Sequence, residues 1–221
     1  SHSMASITNL CQRAVLLDGG RVTRSGAAAD VVQYYVATAG SSSGEVVWPD
    51  PARAPGNRQV RLHAVRIRQE GVEGSTGDVD ISKDVLVEMD YWCLEDAPLY
   101  PCIWLKDSLG TMILASSNAP SVDLTPDGWY GRVFEKGVYR SMVRLPGNFL
   151  NEGKYVITPI LGVVPFKTVV LEDMAISFVV HDTGEMRKEY SQSWAGPVIR
   201  PKLAWKTSCI ELSPGSPAGT S

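Results

Sequence analysis

What this chain lacks narrows its function first. Its 221 residues hold only three histidines, His2, His63 and His181, no two of them at ligand spacing, so a structural zinc or His-rich metal site has no support. The four cysteines, Cys11, Cys93, Cys102 and Cys209, form no Cys-x-x-Cys motif and do not resemble a disulfide framework, which makes a reducing compartment the expectation. No basic tract exists: 21 Lys and Arg stand against 24 Asp and Glu, a net charge of −3, and nucleic acid is not expected as a partner. A membrane-spanning run of about 18 apolar residues is also missing. The longest apolar stretches, such as 156–166, are interrupted by Thr158, Gly162 and two prolines. The start, Ser1-His2-Ser3-Met4, carries no basic segment followed by an apolar one, so no secretory leader is expected. There is no Gly-x-x-x-x-Gly-Lys-Ser/Thr loop to cradle a nucleotide phosphate, no Gly-x-Ser-x-Gly elbow and no Cys/His pair at a recognisable spacing. No catalytic residue, metal ligand or cofactor is therefore assigned to this chain.

What is present is enough for a packed globular fold, with 44% hydrophobic and 20% charged residues. Ser6 to Gln12 places Ile7, Leu10 and Cys11 on one helical stripe. Ala14-Val15-Leu16-Leu17 reads as a buried strand, Asp18-Gly19-Gly20 as a tight turn and Arg21-Val22-Thr23 as the return strand. Gly26 breaks the chain again, and Asp30 is a candidate cap for a helix containing Val31, Val32, Tyr34 and Tyr35. From Thr38 to Asn57 the composition turns to Ser41-Ser42-Ser43-Gly44 and then Pro49, Pro51 and Pro55, the texture of a linker.

Beyond the linker the helical period vanishes, and turn signals recur between short alternating runs. This is the pattern of an all-β sandwich, with strands expected near 58–69, 84–94, 99–107, 111–116, 137–145, 153–164 and 173–181. Val85, Val87, Met89, Tyr91 and Cys93 form one inward row; Ile103 and Leu105 form a second; Met174, Ile176, Phe178 and Val180 form a third, with Ser177 opposite. Tyr155, just after Asn151-Glu152-Gly153, is a candidate tyrosine-corner residue. His63 and His181 are expected on strand surfaces without a role. The Ser, Pro and Gly-rich tail after Cys209 is expected to be disordered.

If the strands at 84–94 and 99–107 pair, their outward face presents Glu88, Asp90, Trp92, Tyr100, Trp104 and Lys106. Indole rings on a polar face need a cover, and a sugar's C–H face stacks on such rings while carboxylates and amines bind its hydroxyls. The same rings are equally well covered by the linker, a loop or a dimer partner. Glu88 and Asp90 share one strand face and are not read as a glycosidase pair, because hydrolysis needs carboxylates on opposite sides of a bond within a cleft. Trp129-Tyr130, after Pro126-Asp127-Gly128, read either as the aromatic edge of a ligand groove or as a cover on the sandwich end.

Two stretches carry a family resemblance. Ser1-His2 resembles the switch-histidine motif of ABC-transporter nucleotide-binding domains, and Leu10-Cys11-Gln12-Arg13-Ala14-Val15-Leu16-Leu17-Asp18-Gly19-Gly20-Arg21-Val22 resembles the segment that follows it. The remainder resembles the C-terminal carbohydrate-binding domain of Wzt-type ATP-binding proteins of O-antigen and related polysaccharide exporters. Ala54-Pro55-Gly56-Asn57, Pro146-Gly147-Asn148-Phe149-Leu150-Asn151-Glu152-Gly153-Lys154-Tyr155 and Arg200-Pro201-Lys202-Leu203-Ala204-Trp205 carry that similarity. The expected organisation is a nucleotide-binding remnant at 1–37, a linker at 38–57, an immunoglobulin-like β-sandwich at 58–208 and a disordered tail at 209–221. The remnant is expected to be loosely docked or poorly ordered, since its apolar stripe lacks the rest of its sheet. The resemblance implies a non-catalytic domain that binds a polysaccharide and couples the finished glycan to export. It also implies a homodimer formed through the sandwich with its last strand, around 198–205, exchanged between protomers. ATP and Mg, with His2 as remnant switch histidine, belong to the intact parent, which works beneath a membrane permease at the cytoplasmic face of the inner membrane. A dimerisation or regulatory sandwich without glycan binding is the alternative.

Overall fold

A computed structural model describes residues 7, 10–38, 44–125, 127–165, 167–184 and 197–208. It is mainly β, in the order β1 (Arg13–Asp18), β2 (Arg21–Ala27), α1 (Ala28–Thr38), β3 (Glu45–Val47), β4 (Val60–Gln69), β5 (Asp78–Asp80), β6 (Val85–Cys93), β7 (Leu99–Asp107), β8 (Met112–Ser117), β9 (Gly137–Leu145), β10 (Gly153–Val163), β11 (Lys167–Leu171) and β12 (Ile176–His181). Two sheets make the sandwich. One runs β3-β4-β6-β9; the other runs β5-β12-β10-β7-β8, with β11 added beside β10.

The inward rows pack as their alternation requires. Val85, Val87, Met89, Tyr91 and Cys93 of β6 are buried against Leu99, Ile103 and Leu105 of β7, Tyr155, Ile157 and Leu161 of β10, and Ile176, Phe178 and Val180 of β12. In β4 the row is Val60 and Leu62, then Val65 and Ile67, because a bulge between Leu62 and Ala64 inserts one residue and resets the parity. Tyr155 is a tyrosine corner: its hydroxyl donates to the Asn151 carbonyl at 2.8 Å and lies 2.8 Å from that of Val198.

Four expectations need correction. β6 and β7 do not pair: β6 lies between β4 and β9, and β7 between β10 and β8, so the link at 94–98 crosses from one sheet to the other. Met174 is not part of the inward row of β12. It precedes the strand with φ +52, which turns its side chain outward onto Val32 of α1 and Val156 of β10. The β1 strand is not buried: among the described elements α1 is the main one against its hairpin, and Val15 and Leu17 stay exposed. Asp30 sits inside the first turn of α1, where its charge suits the helix dipole, rather than at the cap. The short strands β3, β5 and β11 were beyond the reach of periodicity. Of the N-terminal stripe, Leu10 and Cys11 are exposed, while Ile7 lies with Val32 and Tyr35 of α1 against Val156 and Met174 outside the larger sheet. His2 and the tail from 209 lie outside the described residues.

Candidate functional site

Because β6 and β7 belong to different sheets, the six residues expected to share one platform occupy two separate surfaces. Glu88, Asp90 and Trp92 lie on the outer face of the four-stranded sheet; Tyr100, Trp104 and Lys106 lie on the outer face of the other. On the first face the carboxylates are committed to arginines. Asp90 accepts hydrogen bonds from Arg140 Nε at 2.6 Å and Nη2 at 2.9 Å, and a further one from Arg66, which also holds Glu45. Glu88 pairs with Arg68 at 2.9 Å. Burial alone would raise the Asp90 pKa, but the bonds from Arg140 and Arg66 outweigh it and hold the carboxyl below its ordinary range. Trp92 is half-covered by His63 of β4, with ring centroids 4.3 Å apart.

The second face is also largely occupied. Lys106 is buried and pairs with Asp173 at 2.6 Å; Thr158 donates to the same carboxylate oxygen at 2.8 Å and accepts the Met174 amide. Tyr100 is buried with its ring laid over Gly162, where any Cβ would collide with it. Trp104 stays half-buried, with the Lys106 ammonium 5.8 Å from its ring.

A concave feature lies elsewhere. β8 and β9 are the last strands of their sheets on one side of the sandwich, and there the sheets gape around a cleft of about 540 Å³. Its floor is apolar, made of Val87, Met89, Ile103 and Val143. Ser116 of β8 and Ser141 of β9 bring hydroxyls to it from opposing strands. The segment between β8 and β9 supplies Asn118, Asp123, Thr125, Asp127 and Trp129.

One wall is aromatic. Trp129 lies against Phe134 and Tyr139, with centroids 5.0 and 5.7 Å away, and Tyr139 stacks on Tyr91 at 6.1 Å. Such contacts each contribute about 0.5–1.5 kcal/mol beyond area burial, enough to fix the Trp129 ring while 43% of the residue remains exposed. Asp127 shapes this wall by accepting the Trp129 amide at 2.8 Å and the Asn118 side-chain amide at 3.2 Å. Tyr91 bonds Ser141 at 2.9 Å; burial, reinforced by the Asp127 charge and opposed by that hydrogen bond, pushes its hydroxyl up to about 12. A fixed, half-exposed indole beside carboxylates and hydroxyls suits a polyhydroxylated ligand with an apolar face.

Of the residues singled out in the sequence, Trp129 lines this cleft, at the groove's edge and at the same time packed on the sandwich. Tyr91 is a core residue whose hydroxyl backs it. Asn118, Asp123, Asp127, Tyr139 and Ser141 were missed. The usable signal was Ser116 and Ser141: a hydroxyl on the core side of two strands marks a place where the sandwich does not close.

No family model matches the sequence, and no curated protein matches it. Among solved structures, the crystal structure of the C-terminal domain of Wzt is similar at TM-score 0.55 and 15% identity, covering 80% of this chain and 96% of that one. A β-glucosidase from Listeria innocua, in complex with gluconolactone, aligns at TM-score 0.29 and 8% identity over 52% of this chain and 16% of its own. The cupredoxin domain of amoB from Nitrosocaldus yellowstonii aligns at TM-score 0.34 and 12% identity over 70% of this chain and 99% of its own. The last two are too distant in fold to bear on this chain. From β3 onward the chain is a β-sandwich with the fold of the Wzt C-terminal domain.

Proposed function

We propose that this chain recognises a bacterial surface polysaccharide without altering it, and that the β8/β9 cleft is where the glycan seats. The observation that carries the reading is the fixed, half-exposed Trp129 beside Asp123, Asp127, Ser116 and Ser141 in one open cleft. A pyranose ring stacks its C–H face on the indole, and its hydroxyls meet the carboxylates and serines. The fold of the Wzt C-terminal domain and the sequence resemblance to polysaccharide exporters support the same conclusion. In this reading residues 1–37 are the tail of a nucleotide-binding domain, and the sandwich hands a finished polymer to a membrane permease at the inner membrane.

The test is a glycan array followed by calorimetry with the full chain. Selective binding of one polymer, lowered at least tenfold by Trp129→Ala, about 1.4 kcal/mol, in a variant that melts somewhat earlier but still cooperatively, is the expected outcome. Binding that survives Trp129→Ala removes the cleft from the reading.

A second reading, that the sandwich serves assembly, is favoured by the extended stretch after Ile199. Val198 and Arg200 bond to Asn151 and Phe149, and Leu203 and Trp205 then stand exposed, Trp205 at 90%. Exchange of this stretch between two copies would cover both side chains. Light scattering on Trp205→Ala separates the readings: the assembly reading expects a monomer that has lost its function, and the glycan reading expects binding to persist.

A further inference from the structure

The cleft offers a ligand hydrogen-bond acceptors and negative charge, and almost no available cation. Among the described residues lining it, Arg140 is the single basic side chain, and its guanidinium is held by both Asp90 oxygens with Glu88 at 3.7 Å. Asp123 and Asp127 carry the opposite charge, and neither forms an ion pair among the described residues. Their hydrogen bonds come from neutral groups instead: the Thr125 amide to Asp123, and the Trp129 amide and Asn118 side chain to Asp127. These bonds orient the carboxylates without cancelling their charge.

Asn118, also in the cleft lining, gives its side-chain N–H to Asp127. Two carboxylates with no ion-pair partner among the described residues call for donors, which ligand hydroxyl and ammonium groups supply. A carboxylate or phosphate on the ligand would meet two like charges with no uncommitted arginine or lysine among the described lining residues to offset them.

We infer that Asp123 and Asp127 make the cleft selective for neutral or amine-bearing sugar units and exclude acidic ones. The inference rests on the cleft being the glycan site and specifies the chemistry of what it accepts. The two aspartates act as specificity determinants by direct contact with ligand hydroxyls or amines.

The experiment uses the full chain on an array of bacterial surface polysaccharides and their oligosaccharides, with neutral, free-amine, uronic-acid and phosphate-bearing repeats represented. Expected are hits confined to neutral and amine-bearing members, each abolished by Trp129→Ala. Against a matched pair differing only by oxidation of one primary alcohol to a carboxylate, wild type should prefer the neutral partner by about tenfold. Asp123→Asn, which keeps the acceptor for the Thr125 amide, should narrow that ratio by about threefold, and the Asp123→Asn, Asp127→Asn pair should nearly erase it. Comparable melting curves confirm that these isosteric changes leave the fold intact. Trp129-dependent binding of an acidic glycan, as tight as its neutral partner, overturns the selectivity while leaving glycan recognition standing. No hit at all, or hits indifferent to Trp129→Ala, overturns the cleft reading and this inference with it.

Discussion

The outer face of the four-stranded sheet and the cleft on its inner side share strands β6 and β9, yet they treat their carboxylates in opposite ways. On the outer face Asp90 and Glu88 are closed off by Arg66, Arg68 and Arg140, so their charge is spent on joining β4, β6 and β9. In the cleft, among the described residues, Asp123 and Asp127 meet only amide donors. An outward-pointing acid is thus not a ligand group by position; the cation beside it decides. Trp92 and Trp129 make the same contrast among aromatics. One leans on His63 above a charge network, and the other forms the wall of an open cavity.

The largest test of this contrast is Asp90→Ala. It leaves Arg66, whose side chain is mostly buried, and Arg140 without their shared partner, and breaking such a pair costs about 3–5 kcal/mol. The half-exposed Arg140 places the expected loss, read from urea unfolding, near the lower end of that range. Asp90 has its pKa lowered in the folded state, so its contribution is present at neutral pH and disappears as pH falls through the folded value. Asp90→Ala should therefore flatten the acid limb of the stability curve. A variant as stable as wild type would mean that the outer carboxylates are as available as those of the cleft.

Two buried tyrosines sharpen the comparison at the alkaline end. Tyr91 behind the cleft and Tyr155 at the tyrosine corner are both pushed up to about 12, chiefly by burial, from an ordinary value of 10. In the unfolded chain they ionise first, so stability is full below about pH 10 and declines as pH rises towards 12. At about 1.4 kcal/mol per pKa unit, each accounts for up to about 2–3 kcal/mol. Tyr91→Phe should remove one share of that alkaline slope, measured as melting temperature against pH. An unchanged slope would show that the Tyr91 hydroxyl is open to solvent through the cleft.

The strands were legible because inward rows depend on alternation alone: Val85 to Cys93 face the core whichever strands flank them. Pairing was not legible for the same reason. Five residues, 94–98, are short enough for a hairpin, and nothing in their hydrophobicity distinguishes a hairpin from a crossing between sheets. The arginines that neutralise Asp90 lie 24 and 50 residues away and face it only once register is fixed. Met174 fits the alternation of β12, and only its left-handed backbone sends it to the helix side. The cleft was half legible: Trp129 stood out as an aromatic after a turn, whereas Asn118 and Asp123 become site residues only when β8 and β9 end their sheets on the same side.

The smallest expected effect decides whether the outer faces take part in recognition at all. Trp92→Ala removes a ring that rests on His63, and Trp104→Ala removes one that lies near the Lys106 ammonium; neither ring lines the cleft. With the glycan seated between β8 and β9, both variants should bind within about 2-fold of wild type, under about 0.5 kcal/mol, measured by calorimetry on the polymer that wild type selects. A long polysaccharide that ran out of the cleft and across the smaller sheet would instead lose affinity with Trp92→Ala and not with Trp104→Ala, since the two rings face away from each other on opposite sheets. The sign of that difference, and its dependence on the length of the oligosaccharide, would show whether the molecule reads a single sugar unit or a stretch of chain.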